Sequence, residues 1–275
     1  MSTSASQRHI WQPLWQLPSR SDLIFSFAKR ELLGRYKGSA LGIAWAVLTP
    51  VVMIAIFTFI FAGIFGARFG ANDTHWDYAL YLFCGLLPWT WFSASLLESC
   101  TALTGSGGLL RKVMFPAEVL PIVTVLTGLV NFLLGLSIVV AFALYAGAPV
   151  LSADLLWLIP TIAVQLVLTV GLALLLSSLS VHFRDIRDLL ANALTLWLFA
   201  TPIIYPYTQA PERYRWLLDL NPFTHLAMAY QAILFAPGPY AEWRRLAVLA
   251  LVSVAVFFTG YAVFDRLRET FAEEV

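Results

Sequence analysis

Charged side chains are scarce in this sequence: Asp, Glu, Lys and Arg make up 12% of its 275 residues, against about 25% in a typical soluble domain. Hydrophobic residues make up 60%, and so few charges cannot cover them with a surface that faces water. The net charge of +1 gives no basis for binding nucleic acid. The composition excludes an ordinary soluble protein and indicates a membrane protein.

The sequence also lacks the signatures of a nucleotide site and of a disulfide. No Gly-Lys pair occurs in it, so the phosphate-binding loop of an ATPase is absent. Its two cysteines, Cys84 and Cys100, fall in one predicted helix, about 24 Å apart at about 1.5 Å per residue. They cannot pair with each other. The scattered His9, His182 and His225 form no catalytic or metal-binding constellation.

Six long apolar stretches dominate what is present, and each is near or above the about 20 residues that a spanning helix needs. Backbone amides in hydrocarbon must be satisfied within their own segment, so these stretches are predicted to be helices and the fold all-α. Glu98 and Glu118 lie close to segment ends, and the deep parts of the stretches carry no charge, which argues against proton- or sodium-coupled transport. The stretches are residues 41–66, 78–103, 117–146, 155–181, 189–206 and 246–264, within a single domain over residues 1–275.

The distribution of basic residues predicts the orientation, because Lys and Arg collect on the cytoplasmic side of short loops. With both termini in the cytoplasm, twelve of the seventeen basic residues lie inside. The pair Arg244 and Arg245, before the last stretch, runs against the rule.

Residues 22–37 are predicted to form an amphipathic helix on the cytoplasmic membrane surface. Leu23, Phe27 and Leu32 share an apolar side with Leu33 and Tyr36, while the basic residues lie on another side. A surface anchor with a glycine hinge is an equally good interpretation of this pattern.

The connection between the second and third stretches, residues 104–116, is predicted to hold a short helix at residues 109–115. Arg111 and Lys112 would face water there, and Pro116 would start the next helix. The apolar Val113, Met114 and Phe115 beside two cations suit a surface that docks a partner protein. The alternative is a loop anchored in lipid.

Residues 207–245 form the longest predicted external segment. Asn221 and Pro222 are typical of a helix start, with Asn as the cap and Pro at the first position. The apolar helix that follows, residues 223–235, is too short to span a bilayer, so it is predicted to be re-entrant or interfacial.

Aromatic residues make up 15% of the chain, and rings with a polar tip suit the wall of a water-filled cavity. Seven aromatic residues are candidates for a substrate path, although Trp and Tyr also form belts at membrane interfaces. They are Trp45, Phe59, Trp89, Trp91, Trp197, Phe199 and Tyr205.

The order of several motifs resembles the membrane subunit of ABC-type exporters of lipid-linked polysaccharides, such as those for O-antigen, capsule and teichoic acid. The motifs are Arg35-Tyr36-Lys37-Gly38-Ser39 with Leu41-Gly42 and Trp45, Leu110-Arg111-Lys112-Val113-Met114-Phe115-Pro116, Phe183-Arg184-Asp185, Pro202-Ile203-Ile204-Tyr205-Pro206, and Leu220-Asn221-Pro222-Phe223.

This resemblance implies a half-transporter in the bacterial inner membrane rather than an enzyme. Two copies of the chain would form a pore, and two copies of a separate subunit would bind ATP and Mg, so that this chain binds no cofactor. Residues 22–37 would be the interface helix, and Leu110 to Phe115 would lie in the coupling helix. Residues 211–235 would be external gate helices, with Asn221, Pro222, Phe223 and Tyr230 as gate residues. Gln231 departs from relatives that often carry a basic residue near this position.

Two other functions stay open. One is an ABC permease for drugs or small lipids. The other is a membrane enzyme that acts on lipid-linked sugars, for which Asp73, His75 and Asp77 in the first external loop are candidate metal ligands.

Overall fold

The computed structural model describes residues 21–42, 44–64, 77–106, 116–145, 153–235 and 240–271. These residues form helices and connecting turns without a strand, so the predicted all-α fold is confirmed. The α-helices are α1 (Ser21–Tyr36), α2 (Ala44–Phe57), α3 (Asp77–Ala102), α4 (Val119–Tyr145), α5 (Leu158–His182), α6 (Ile186–Phe199), α7 (Glu212–Leu220), α8 (Pro222–Leu234) and α9 (Trp243–Leu267). A π-helical segment, Thr58–Ile64, continues α2.

Five helical segments of the described residues are long and apolar enough to cross a membrane, which confirms a multi-pass membrane protein. They are Ala44–Phe61, Tyr78–Ala102, Val119–Tyr145, Asp154–His182 and Trp243–Thr270. Each corresponds to one of the six predicted stretches.

The stretch at residues 189–206 differs from the prediction. Its helix, α6, has 14 residues and is about 21 Å long, short of the about 30 Å thickness of a bilayer core. Residues 200–206 are not helical, because Pro202 and Pro206 lack the amide hydrogen that a helix requires.

Side chains from the bundle satisfy the carbonyl groups that this non-helical stretch leaves free. The Tyr78 hydroxyl donates to Ile204 O at 2.8 Å, the Tyr81 hydroxyl lies 3.3 Å from Pro202 O, and Gln231 Nε2 donates to Pro202 O at 3.2 Å. The irregular backbone is therefore held inside protein, as backbone at membrane depth has to be.

Helix α3 lies at the centre of the described bundle and contacts α4, α5 and α8. Trp91 Nε1 donates to Val125 O at 3.1 Å, and Gln165 Nε2 donates to Pro88 O at 2.8 Å. Each bond joins two apolar helices where water is excluded, which fixes their register.

The bundle has two ends, which we call proximal and distal. The proximal end carries the end of α3, the start of α4 and the last turn of α9, where Glu118 lies 3.8 Å from Arg268. Glu98 also pairs there, with Arg35 of α1. The distal end carries the start of α3, and residues 200–235 lie between this end and the middle of the bundle. Both acidic residues of the predicted stretches thus lie near a helix end, as predicted, and the structure adds a cationic partner for each.

Candidate functional site: a groove at the distal end

The site is built by α8, which begins where the sequence predicts it. Asn221 is the cap residue, its side-chain oxygen accepts a hydrogen bond from Phe223 N at 2.9 Å, and Pro222 occupies the first turn. Most of α8 is buried, including Phe223, Leu226 and Tyr230. The helix is therefore a part of the core and does not rest on its surface.

Helix α8 starts deep within the bundle and runs back to the distal end. The Phe223 ring lies 4.8 Å from that of Trp89 and 4.9 Å from that of Phe92. Those residues lie about 18 and 22 Å along α3. At its other end, Phe235 packs at 5.7 Å against Tyr81, near the start of α3. The turn between α7 and α8 thus lies at about half the depth of the bundle, and α8 runs from there to the distal end.

Asn221 holds the turn between α7 and α8 with both ends of its amide. Its Oδ1 accepts from Trp197 Nε1 at 2.8 Å, in addition to Phe223 N. Its Nδ2 donates to Thr201 Oγ1 at 2.9 Å and to Ala200 O at 3.3 Å. One side chain therefore connects the tip of the helix pair to the end of α6.

A groove of about 810 Å³ opens beside this turn, between the end of α6 and helix α7. Three aromatic rings line it, those of Trp197, Tyr205 and Tyr214, together with the amide of Gln209. Asn221 also lines the groove, but its amide is fully used by the four hydrogen bonds described above. Rings that offer flat apolar faces beside amide donors and acceptors suit sugar units, whose C–H faces stack while their hydroxyls form hydrogen bonds.

The rim of the groove is fixed by a second set of hydrogen bonds. Arg215 donates from Nε to Ala210 O and from its guanidinium to Thr208 O, both at 3.1 Å. The Tyr207 hydroxyl donates to Asp219 at 2.9 Å. Desolvation and the Asp219 carboxylate raise the pKa of Tyr207, so this phenol stays protonated at neutral pH and keeps donating.

The structure brings four of the predicted site residues together in this groove: Trp197, Tyr205, Asn221 and Pro222. Gln209 and Tyr214 were missed by sequence reasoning. The spacing of Tyr214, Leu217 and Leu218, at positions i, i+3 and i+4, was the signal that predicts an apolar side of α7 facing the groove.

The other aromatic candidates lie elsewhere. Trp45 and Trp91 line a second groove of about 560 Å³, between α2, α3 and α4. Trp89 is buried in the core, with its ring 6.0 Å from that of Trp197. Phe59 and Phe199 are 68% and 63% exposed. Within the described residues of one chain, the seven rings do not form a single path.

The predicted gate residue Tyr230 and its neighbour Gln231 are core positions in this structure. Tyr230 is fully buried, with its ring 5.8 Å from that of Phe132. Gln231 is also buried and holds Pro202 O. A neutral amide fits at this position, because a basic side chain here would be buried without a counter-charge.

The candidate ATPase-coupling residues lie outside the described residues. They are Leu110, Arg111, Lys112, Val113, Met114 and Phe115. The side chains of Asp73, His75 and Asp77, proposed as alternative metal ligands, also lie outside them.

Comparison with known proteins gives a consistent result over most of the chain. Residues 22–235 match the family described as ABC-2 type transporter. The chain is 35% identical over 257 residues to the O-antigen export system permease protein RfbA of Myxococcus xanthus, covering 92% of this chain and 95% of that protein. It is 29% identical over 254 residues to a protein of the same name from Klebsiella pneumoniae, covering 92% of this chain and 94% of that one.

Proposed function

Because the chain belongs to the ABC-2 type transporter family, we propose that it is the membrane half of an ATP-driven exporter. Its cargo is a lipid-linked polysaccharide similar to O-antigen, which it moves out of the cytoplasm across the inner membrane. The relatives named for O-antigen export support this substrate class.

The lining of the distal groove is the observation that supports a polysaccharide substrate. Its aromatic rings suit the apolar C–H faces of a sugar and the Gln209 amide suits its hydroxyl groups, and repeated weak contacts of this kind hold a polymer without stopping its movement. The groove adjoins α7 and α8, which serve as an external gate. A channel wide enough for a sugar chain needs an apolar constriction at rest, and α7 beside the groove exposes the apolar side chains of Trp216, Leu217 and Leu220, which can form it.

Energy comes from a separate subunit that binds ATP and Mg, since this chain has no phosphate-binding loop. The residues from Leu110 to Phe115 form the helix that docks into that subunit, and α1 lies on the cytoplasmic surface as the interface helix. Two copies of the chain assemble into the pore. Besides the five long helical segments, α6 together with residues 200–206 makes one more crossing of the membrane. Six crossings place both termini on the same side, and the basic residues indicate that this side is the cytoplasm.

The groove between α2, α3 and α4 supports a second candidate function, the efflux of a small amphipathic molecule. Its volume of about 560 Å³ is in the range of drug-sized sites, about 300 to 1,000 Å³. Its lining is mostly apolar, with a few neutral polar groups such as Thr90 and Asn131 and the ion pair between Arg35 and Glu98.

Deletion of the gene that encodes this chain separates the two functions. Polysaccharide export predicts loss of the surface polysaccharide and accumulation of lipid-linked intermediates in the cytoplasm, with restoration by the wild-type gene. Unchanged surface polysaccharide with increased sensitivity to amphipathic drugs would instead assign the chain to efflux.

A further inference from the structure

A polar pocket of about 450 Å³ lies at the proximal end, between the end of α3 and the start of α6. Its lining includes Thr101 and Thr104 from the α3 side, Ser180 from α5, Arg184 from the turn that follows α5, and Arg187 and Asp188 from the first turn of α6. None of these residues belongs to the distal groove, and the proposed function gives them no role.

Two guanidinium groups in this pocket have no acidic partner in the described part of the chain. Neither Arg184 nor Arg187 forms an ion pair there, although the Asp188 carboxylate lines the same pocket. The lining thus carries two positive charges and one negative charge. Guanidinium groups bind phosphate through paired charge-assisted hydrogen bonds, which makes phosphate the fitting anion.

The start of α6 adds little to this positive charge. Its cap residue, Asp185, makes no side-chain hydrogen bond to the first turn, but the carboxylates of Asp185 and Asp188 offset the positive end of the helix, and Ile186 N already donates to Phe183 O. The two guanidinium groups are therefore the main source of positive charge in the pocket.

The pocket lies at the depth of lipid headgroups. Its Ser180 is two residues before the end of α5, and its Thr101 is one residue before the end of α3, and both helices are long and apolar enough to span. Beside the pocket, Phe183 and Leu189 are 64% and 67% exposed. Basic pockets between spanning helices at this depth bind lipid headgroups, and exposed apolar side chains beside them suit the attached chains.

We propose that this pocket binds the phosphate group of a lipid headgroup, with Arg184 and Arg187 as its ligands. The Asp188 carboxylate weakens the binding by repulsion and keeps the lipid exchangeable. The proposal requires only that the chain lies in a membrane, so it stands or fails separately from the exported cargo.

The test uses the full chain in nanodiscs of phosphatidylcholine with added phosphatidylglycerol, and native mass spectrometry to count retained phosphatidylglycerol. Arg184→Gln with Arg187→Gln should weaken retention by about tenfold or more, the effect of losing at least one charge-assisted hydrogen bond. Asp188→Asn should strengthen it. Arg266→Gln, which removes an exposed proximal cation outside the pocket, should leave it unchanged.

The opposite signs expected for the Arg and Asp188 variants separate a binding role from a structural one, and Asp188→Asn serves as the test if the double Arg variant fails to fold. Addition of inorganic pyrophosphate distinguishes the ligand source. Displacement of the lipid shows that the phosphate group alone is recognised, while no displacement shows that the whole headgroup and its chains are required.

Equal retention by wild type and the folded Arg variant would overturn the proposal, as would loss of retention in Arg266→Gln. Unchanged lipid retention with loss of the ATPase subunit would assign the two arginines to protein docking. Unchanged retention with loss of the dimer would assign them to the contact between copies.

Discussion

Gly171 and Gly260 bring the backbones of α5 and α9 into direct contact. A Cβ atom on Gly260 would overlap the Gly171 carbonyl oxygen, and one on Gly171 would lie 2.6 Å from Phe257 Cα. Only glycine at both positions permits this approach, which gives the two helices their close packing. Small residues at such crossings take the place of a hydrophobic driving force, which helices in lipid lack.

Gly260→Ala should separate α5 from α9 and destabilise the protein by about 1 to 3 kcal/mol. The measurement is the thermal unfolding of the purified protein in detergent. Gly34→Ala is the matched control, since a Cβ on Gly34 meets no atom within 4 Å and alanine favours a helix by about 0.5 to 1 kcal/mol. An unchanged melting temperature for Gly260→Ala would show that the backbones of α5 and α9 are not in contact at this glycine.

Arg35 ties α1 to α3 through Glu98 and also lies 3.3 Å from Glu31. Arg35→Glu should repel α1, and Glu98→Arg in the same chain should restore the attraction. The coupling energy from a double-mutant cycle on thermal unfolding should be about 0.2 to 1 kcal/mol, since both side chains are partly exposed. Failure of the reversed pair to recover any stability would show that the ion pair does not hold α1.

Local signals in the sequence predicted the start of α8, because a cap and a proline act within one turn. Its depth depends on packing: Phe223 meets Trp89 and Phe92 across more than a hundred residues of chain, which no local pattern encodes. At the end of α6, by contrast, the prediction from composition was wrong. Apolar composition at residues 189–206 predicted a span, but the two prolines ended the helix and Tyr78, Tyr81 and Gln231 supplied the missing hydrogen bonds.

The orientation predicts the labelling of single cysteines by an impermeant thiol reagent in intact cells, in a background without Cys84 and Cys100. Cysteines at Ser39, Ser106 and Glu273 should be protected, and those at Asn72 and Glu212 should react. The reason is the excess of basic residues on the cytoplasmic side. Labelling after permeabilisation is the control for accessibility, and labelling of position 106 in intact cells would reverse the orientation.

Phe115→Asp should disrupt docking of the ATPase subunit, because a charge buried in an apolar cleft without a partner costs several kcal/mol. Co-purification of that subunit and the surface polysaccharide should both fall. Phe115→Leu, which keeps an apolar side chain, should retain both. Normal co-purification and export by well-expressed Phe115→Asp would reject the coupling role of this segment.

Asn221→Ala with Pro222→Gly should open the resting pore. The variant removes the cap of α8, frees the backbone at its first turn, and leaves Trp197 Nε1 without the acceptor it has in the structure. Loss of a cap and of one such hydrogen bond should loosen the tip of the helix pair by about 1 to 3 kcal/mol. Proteoliposomes or cells with this variant should become permeable to small ions or dyes, and polysaccharide export should become less efficient.

Two further variants test whether the leak results from the hydrogen bonds of Asn221 in particular. Asn221→Asp keeps an oxygen that accepts from Phe223 N and Trp197 Nε1 but loses the donors to Thr201 and Ala200, so its leak should be intermediate. Asn192→Ala changes an exposed residue that bonds only within α6, so the membrane should stay tight. Hydrogen exchange of residues 222–234 reports whether α8 has loosened. If α8 exchanges faster in the double variant while the membrane stays tight and export is unchanged, the helix is an anchor within the bundle and not a gate.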